Sequence, residues 1–424
     1  MALGIAELVI LGLIVEWVFR KFKLPGLIGL LLLGVALGKS ALGLLGQGVL
    51  SASADLRLIA LVVILLRAGF EISREALAKV GLRAGLLAFI PCCLEIGVIT
   101  LSAPWLLGFS YLEGAILGGV LAAVSPAVVV PLMVKFIKEK RGADKSIPTL
   151  VLAGASVDDA VAIVLCTSFL GMYVGAGQSA QSAQQSSLGA NLISVPISVV
   201  TGILVGFAVG VVLYKIFDRF NPRATKRVLM LIAIAILLEH FKGVIDQLGV
   251  PFAPLIAIMA IGFIILEKRE HAAHEISAKL GKIWIFAQLL LFTLVGAAVD
   301  VNVAIKAGLV GAAIIAIGLL GRTLGVQLCL IKSNLTKSER AFVSISYLPK
   351  ATVQAVMGAV PLLAMQKAKM NEAPGQVILA IAVLSILLTA PLGAFAISFA
   401  GKRILTQGTA EDYPQLKAVE ESND

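Results

Sequence analysis

Pro148-Thr-Leu-Val-Leu-Ala-Gly-Ala-Ser-Val-Asp158-Asp159-Ala-Val-Ala-Ile-Val-Leu-Cys-Thr167 is apolar enough to cross a membrane, yet it carries two adjacent carboxylates near its middle. One such group at the bilayer centre costs about 2.5–3.5 kcal/mol. Two in succession call for a compensating role, and exchange of a proton for a cation is one that carboxylates can fill. Neighbours on a helix diverge by ~100°, so the two side chains cannot face the same way.

The surrounding chain is membrane-like throughout. Hydrophobic residues make up 59% and charged residues 14% of 424 positions, with a mean hydropathy of +1.00. Soluble domains carry about 25% charged residues, so the composition excludes one. Hydropathy delimits about thirteen spans: 3–19, 24–42, 56–72, 82–107, 113–134, 148–173, 192–214, 227–241, 251–266, 284–300, 307–331, 340–364 and 375–399. Lys and Arg then fall 26 in one set of loops and 6 in the other, with three inside spans. This bias predicts an external N-terminus and a cytoplasmic C-terminus, in a cell (inner) membrane. It also accounts for the formal charge of +10 without nucleic acid.

The first apolar run is expected to be a retained span. Gly175–Asn191 reads as a flexible external loop and 411–424 as a disordered acidic tail. Residues 267–283, with His271 and His274, read as a linker helix along the interface, and the histidines as solvated groups. Cys92, Cys93, Cys166 and Cys329 lie in apolar segments without metal spacing and read as small core residues. Gly34-Val-Ala-Leu-Gly38-Lys-Ser40 imitates a phosphate loop, but its glycines are one residue too close and it ends an apolar span. No nucleotide is expected.

The chain matches itself at an offset near 227 residues. Gly69 pairs with Gly296, Lys79-Val-Gly-Leu with Lys306-Ala-Gly-Leu, Ser125-Pro126 with Leu348-Pro349-Lys350, and Pro148 with Pro374. Spans 3–6 begin outside and spans 10–13 inside, which predicts an inverted repeat. In that architecture one span per repeat breaks in mid-membrane. Pro126 and Pro349 mark the breaks, because proline removes a backbone donor and clashes with the preceding turn.

Asp159 is the candidate carrier, alternately holding a proton or a hard cation, Na⁺ or Li⁺, that prefers oxygen ligands. Asp158 ligates, titrates or pairs with a cation. Ser125, Ser156 and Thr352 offer further oxygens, or else cap free backbone groups. The offset also aligns Glu95 with Arg322, predicting a membrane-buried ion pair in which a double charge swap restores stability. Lys350 is expected to neutralise the carbonyl ends of the broken helices.

Ala123-Val-Ser-Pro-Ala-Val-Val-Val-Pro131, Gly154-Ala-Ser-Val-Asp-Asp159 and Tyr347-Leu-Pro-Lys-Ala-Thr-Val-Gln354 resemble the monovalent cation/proton antiporters, and most of all their NHA-type sodium/proton branch. The resemblance covers about residues 24–400. It implies a homodimer in which two crossed, broken helices sit in a core domain (about 82–173 and 307–399). That domain moves against dimerisation helices (about 1–72 and 192–300), and 401–424 forms a tail. It implies cation and proton binding at Asp159 with Asp158 assisting, and it supports the Glu95–Arg322 pair. Many related exchangers carry an acid where Ser125 stands, and electrogenic ones often place a lysine on span 11, where this chain has Arg322.

The expected activity is Na⁺ (or Li⁺)/H⁺ antiport by alternating access, with no cofactor and no enzymatic chemistry. A K⁺/H⁺ antiporter and a sodium-coupled organic-solute symporter of the same architecture are the competing transport readings. A non-transporting scaffold or receptor leaves the paired acids and mirrored breaks unexplained.

Overall fold

The computed structural model describes residues 1–22, 26–71, 74–142, 144–181, 188–247 and 252–407. Sixteen helices form among them: α1 Ala2–Lys21, α2 Gly26–Leu37, α3 Gln47–Glu71, α4 Arg74–Leu107, α5 Tyr111–Leu121, α6 Pro126–Lys138, α7 Ile147–Gln181 and α8 Leu188–Phe220. They continue with α9 Ala224–Gln247, α10 Pro254–Lys268, α11 Glu270–Ala297, α12 Val301–Leu330, α13 Lys337–Ser346, α14 Thr352–Gly358, α15 Val360–Lys367 and α16 Ala373–Ile404. Seven are long and apolar enough to cross a membrane on their own, and four shorter apolar segments add to them. The chain is an all-α polytopic membrane protein. Trp105 and Leu309 stand 87% and 90% exposed, as lipid-facing apolar residues do where no water competes.

Sixteen helices arise from thirteen spans because two spans are interrupted. Span 5 splits into α5 and α6 around residues 122–125, and span 12 into α13, α14 and α15, with 347–351 non-helical. Pro126 occupies the first turn of α6, where its missing N–H costs nothing. Both interrupted spans open on the same device. Ser110 and Glu113 form a capping box at α5, and Thr336 and Glu339 form one at α13. Each hydroxyl accepts the N3 amide while the N3 glutamate accepts the N-cap amide, so two orphan donors are satisfied at once.

The repeat shows again where these spans end. Lys140 and Lys369 both adopt a positive φ, 56° and 53°. Arg141 N donates to Phe136 O and Met370 N to Met365 O, closing the same six-residue cap over each helix end.

The chain forms two compact units. One comprises residues 1–75, 163–308 and 355–383; the other comprises 76–162, 309–354 and 384–424. In the first unit, two close helix crossings repeat each other. A Cβ on Gly69 in α3 would collide with Met259 O of α10, and one on Gly262 would lie 3.0 Å from Gly69 Cα. Likewise a Cβ on Gly296 in α11 would collide with Leu31 O of α2, and one on Gly34 with Thr293 O. The repeat mates Gly69 and Gly296 therefore do the same job, letting backbones touch where apolar burial supplies no drive inside lipid. This packing explains the false phosphate loop, since Gly34 and Gly38 both lie against α11.

In the second unit, Gly318, Gly321 and Gly325 form a stripe on α12 that meets Ile99, Leu94, Val98 and Pro91 of α4. An apolar cluster that includes Leu87, Val124, Met133, Phe136, Val151, Val326, Phe342 and Tyr347 fills its interior. Phe136 and Phe342 meet edge to face at 5.9 Å.

Two expected loops are shorter than expected. Residues 270–283 are the first half of the continuous helix α11, not a separate interfacial linker, because Ala, Glu and Lys favour helix strongly enough to carry it through Gly281. Its His271 and His274 are exposed and lie beside Glu275 and Glu270 one turn along. The Gly175–Asn191 segment is helical up to Gln181 and again from Leu188; residues 182–187 and the acidic tail lie outside the described residues.

Gly34→Leu is expected to lower stability by about 1–3 kcal/mol, as overpacking does. Gly281→Ala, where nothing lies within 4 Å, should be neutral or slightly stabilising. Thermal midpoints in detergent check both; an unchanged midpoint for Gly34→Leu contradicts the crossing.

Candidate functional site

Three helices and one non-helical segment of the second unit deliver four ionised side chains to one buried point. Glu95 comes from α4, Asp158 from α7 and Arg322 from α12, while Lys350 comes from the non-helical segment between α13 and α14. The glycine stripe of α12 lets Arg322 reach α4, with Gly318 lying against the Glu95 side chain.

Arg322 is the hub. Its Nη2 and Nη1 donate to Asp158 Oδ2 at 2.5 Å and Oδ1 at 3.3 Å, a bidentate fork. Its Nε lies 3.0 Å from Glu95 Oε2, an ion-pair contact. The Lys350 ammonium donates to the same Glu95 oxygen at 2.7 Å. The Tyr347 ring sits with its centroid 5.7 Å from the Arg322 guanidinium. All four charged side chains are buried, and their formal charges sum to zero. Burying a single ion costs several kcal/mol, so each charge here persists only because opposite charge and hydrogen bonds surround it.

The same residues satisfy the broken helix ends. Leu121 O and Ala123 O, at the C-terminus of α5, accept from Gln354 Nε2 at 3.1 and 2.8 Å. Ala122 O between them accepts from Arg322 Nη2. Ser125 N donates to Pro349 O at 2.8 Å, tying one break to the other. Val124 N, at the first break, donates to Asp158 Oδ2 at 2.7 Å, and Lys350 N, at the second, donates to Thr389 Oγ1 at 2.8 Å. Each break is thus held by a side chain from the next helix of its own repeat.

This geometry corrects two expectations. The Lys350 ammonium is directed at Glu95, and the carbonyl ends go to Gln354 and Arg322 instead. Glu95 and Arg322 do pair, but within a set of four. A charge swap would set an arginine beside Lys350 and a glutamate beside Asp158, so it cannot restore stability.

Asp158 is completely buried, whereas Asp159 retains 8% exposure and lies outside the set of four. Ser125 Oγ, Thr352 Oγ1 and Gln354 Oε1 are buried oxygens with no hydrogen-bond partner among the described residues. Ser156 lies on α7, and its side chain is outside the described residues. Pro126 and Pro349 sit at the two breaks. Sequence reading missed the roles of Gln354, Tyr347 and Thr389. Gln354 had a signal, a polar side chain in an apolar run just after a helix break.

The sequence profile of the family described as "Sodium/hydrogen exchanger, transmembrane" matches residues 8–403. The chain belongs to the sodium/hydrogen exchanger family. It is therefore a membrane exchanger of the monovalent cation/proton antiporter superfamily, not an enzyme. Sodium/hydrogen exchanger 9B2 of Xenopus tropicalis is 32% identical over 371 residues, covering 87% of this chain and 67% of that protein. Sodium/hydrogen exchanger 9B2 of Homo sapiens is 33% identical over 357 residues, covering 83% and 64%. Sodium/hydrogen exchanger 9B1 of Mus musculus is 34% identical over 358 residues, covering 84% and 61%. The chain thus spans about two thirds of the length of these relatives. The structure of the sodium proton antiporter MjNhaP1 from Methanocaldococcus jannaschii superposes with a TM-score of 0.78 at 20% identity, over 94% of this chain and 97% of that one. That likeness concerns the fold.

Within this exchanger, Lys350→Met or Glu95→Gln alone is expected to cost about 3–5 kcal/mol, the usual result of breaking a buried pair. The double variant, which keeps the site neutral, should be less destabilised than the two single losses summed. Thermal unfolding of the three variants checks this; additive losses contradict the coupling.

Proposed function

We propose that this exchanger carries Na⁺ (or Li⁺) against H⁺ by alternating access, with Asp159 holding either ion in turn. The observation that carries the reading is the closed neutrality of Glu95, Asp158, Arg322 and Lys350 beside a second aspartate that stands outside it. Asp158 already accepts from the Arg322 fork and from Val124 N, so its lone pairs are largely engaged. Asp159 then decides the net charge of the site. Ser125, Thr352 and Gln354 have oxygen lone pairs to spare, the ligand type a hard cation takes, and Asp158 meets the first break at Val124 N, next to Ser125.

Coupling follows from charge. With a proton or a monovalent cation on Asp159, the site as a whole is neutral. When empty it bears one negative charge, and moving that through the membrane costs about 2.5–3.5 kcal/mol, a suppression on the order of a hundredfold. The loaded forms cross, the empty form stays, and one proton returns for each cation carried. In this reading the chain works as a homodimer with its N-terminus outside. The helices of about 82–173 and 307–399 move against those of about 1–72 and 192–300.

Reconstituted vesicles loaded with a pH dye test it. Wild-type protein should move protons when Na⁺ or Li⁺ is added, at the same rate with the membrane potential clamped or free. Asp159→Asn should abolish the movement. Exchange retained in Asp159→Asn would falsify the carrier assignment, and proton flux driven by K⁺ alone would replace Na⁺ as the substrate.

A further inference from the structure

The set of four charges lies entirely in the second unit, but the first unit buries an ionised side chain of its own. Arg57, in α3, retains 9% exposure. Its Nε donates to Ser53 O, one turn back, at 3.1 Å. No carboxylate forms an ion pair with it among the described residues, and its two Nη groups have no hydrogen-bond acceptor there. A buried guanidinium without a counter-charge is costly, and its planar fork matches the two oxygens of a carboxylate or phosphate.

Arg57 lines a cavity of about 1000 Å³ whose walls all belong to the first unit. That volume sits at the upper end of the range for small-molecule sites, about 300–1,000 Å³. Leu61 and Phe252 are among the residues forming a mainly apolar wall. Lys242 and Lys367 add two cations to the lining. Asp55 and Glu239 also line it, so the cavity is mixed in charge, but neither carboxylate closes on Arg57. An inorganic ion would leave the apolar walls wet, and a plain hydrocarbon would leave Arg57 unpaired.

We propose that this cavity binds an amphiphile whose anionic head, a carboxylate or phosphate, is gripped by the Arg57 fork and whose apolar body fills the remaining volume. The cavity walls include neither Asp159 nor any member of the set of four, but they come from both groups of helices that alternating access would move. The bilayer's own anionic lipids and soluble amphiphilic anions share this chemistry.

Dodecyl phosphate binding to the full chain in phosphatidylcholine nanodiscs tests the proposal. Wild-type protein should bind it saturably, and Arg57→Gln should weaken binding roughly tenfold or more, the scale of one charge-assisted pair. Ala364→Trp, which fills the cavity from α15 and leaves Arg57 unchanged in sequence, should block binding as well and so guards against a misfolded Arg57 variant. Dodecanol should bind weakly and with no response to Arg57→Gln. Equal binding of dodecanol and dodecyl phosphate, equal binding of inorganic phosphate and dodecyl phosphate, or indifference of dodecyl phosphate to Arg57→Gln each overturns the proposal. Mass spectrometry of co-purified lipid separates the sources. An anionic phospholipid retained by wild type and lost in Arg57→Gln supports the bilayer, while Arg57-dependent dodecyl phosphate binding without such a lipid supports a soluble amphiphile.

Discussion

The Arg322 fork on Asp158 is the interaction on which the rest of the second unit depends. It fixes one aspartate, shares its charge with Glu95 and caps a carbonyl of the first helix break. Removing any participant leaves an unbalanced charge in a medium where water cannot repair it. The arrangement thus does two jobs with one set of residues. It holds the broken helices open against their own backbone requirements, and it engages both carboxylate oxygens of Asp158.

Two adjacent acids can have different chemistry because a helix separates them by ~100°. Asp158 points into the charged set and accepts a backbone N–H, while Asp159 keeps a margin of exposure. The asymmetry extends to the repeat. The second half carries Leu384 and Ser385 at the matching positions, and its break is held by the hydroxyl of Thr389 in place of a carboxylate. One half of the pseudo-symmetric frame bears the acids, and the other supplies Lys350 to balance them.

Much of this was legible in the sequence because membrane burial makes polar residues conspicuous. The aspartate pair, the prolines at 126 and 349, and the Glu95–Arg322 correspondence all emerged from hydropathy and the repeat offset. The capping boxes at Ser110 and Thr336 were also there to be read. The partner of Lys350 was not, since it depends on how close α4 comes to the second break, which the Gly318–Gly325 stripe of α12 helps determine. The use of Gln354 was hidden for the same reason: a carbonyl end can be satisfied by any donor the fold brings near. The extent of α11 was misjudged because charged helical turns beyond a span look like linker when only hydropathy is weighed.

If one carboxylate holds the proton and the cation in competition, binding of the cation displaces the proton. Proton release on cation binding, measured by titrating Na⁺ into weakly buffered purified protein, tests it most directly. Close to one proton should be released for each Na⁺ bound near the pH where Asp159 is protonated, falling to none once the pH is high enough to ionise it. Na⁺ binding at the lower pH without proton release would contradict it.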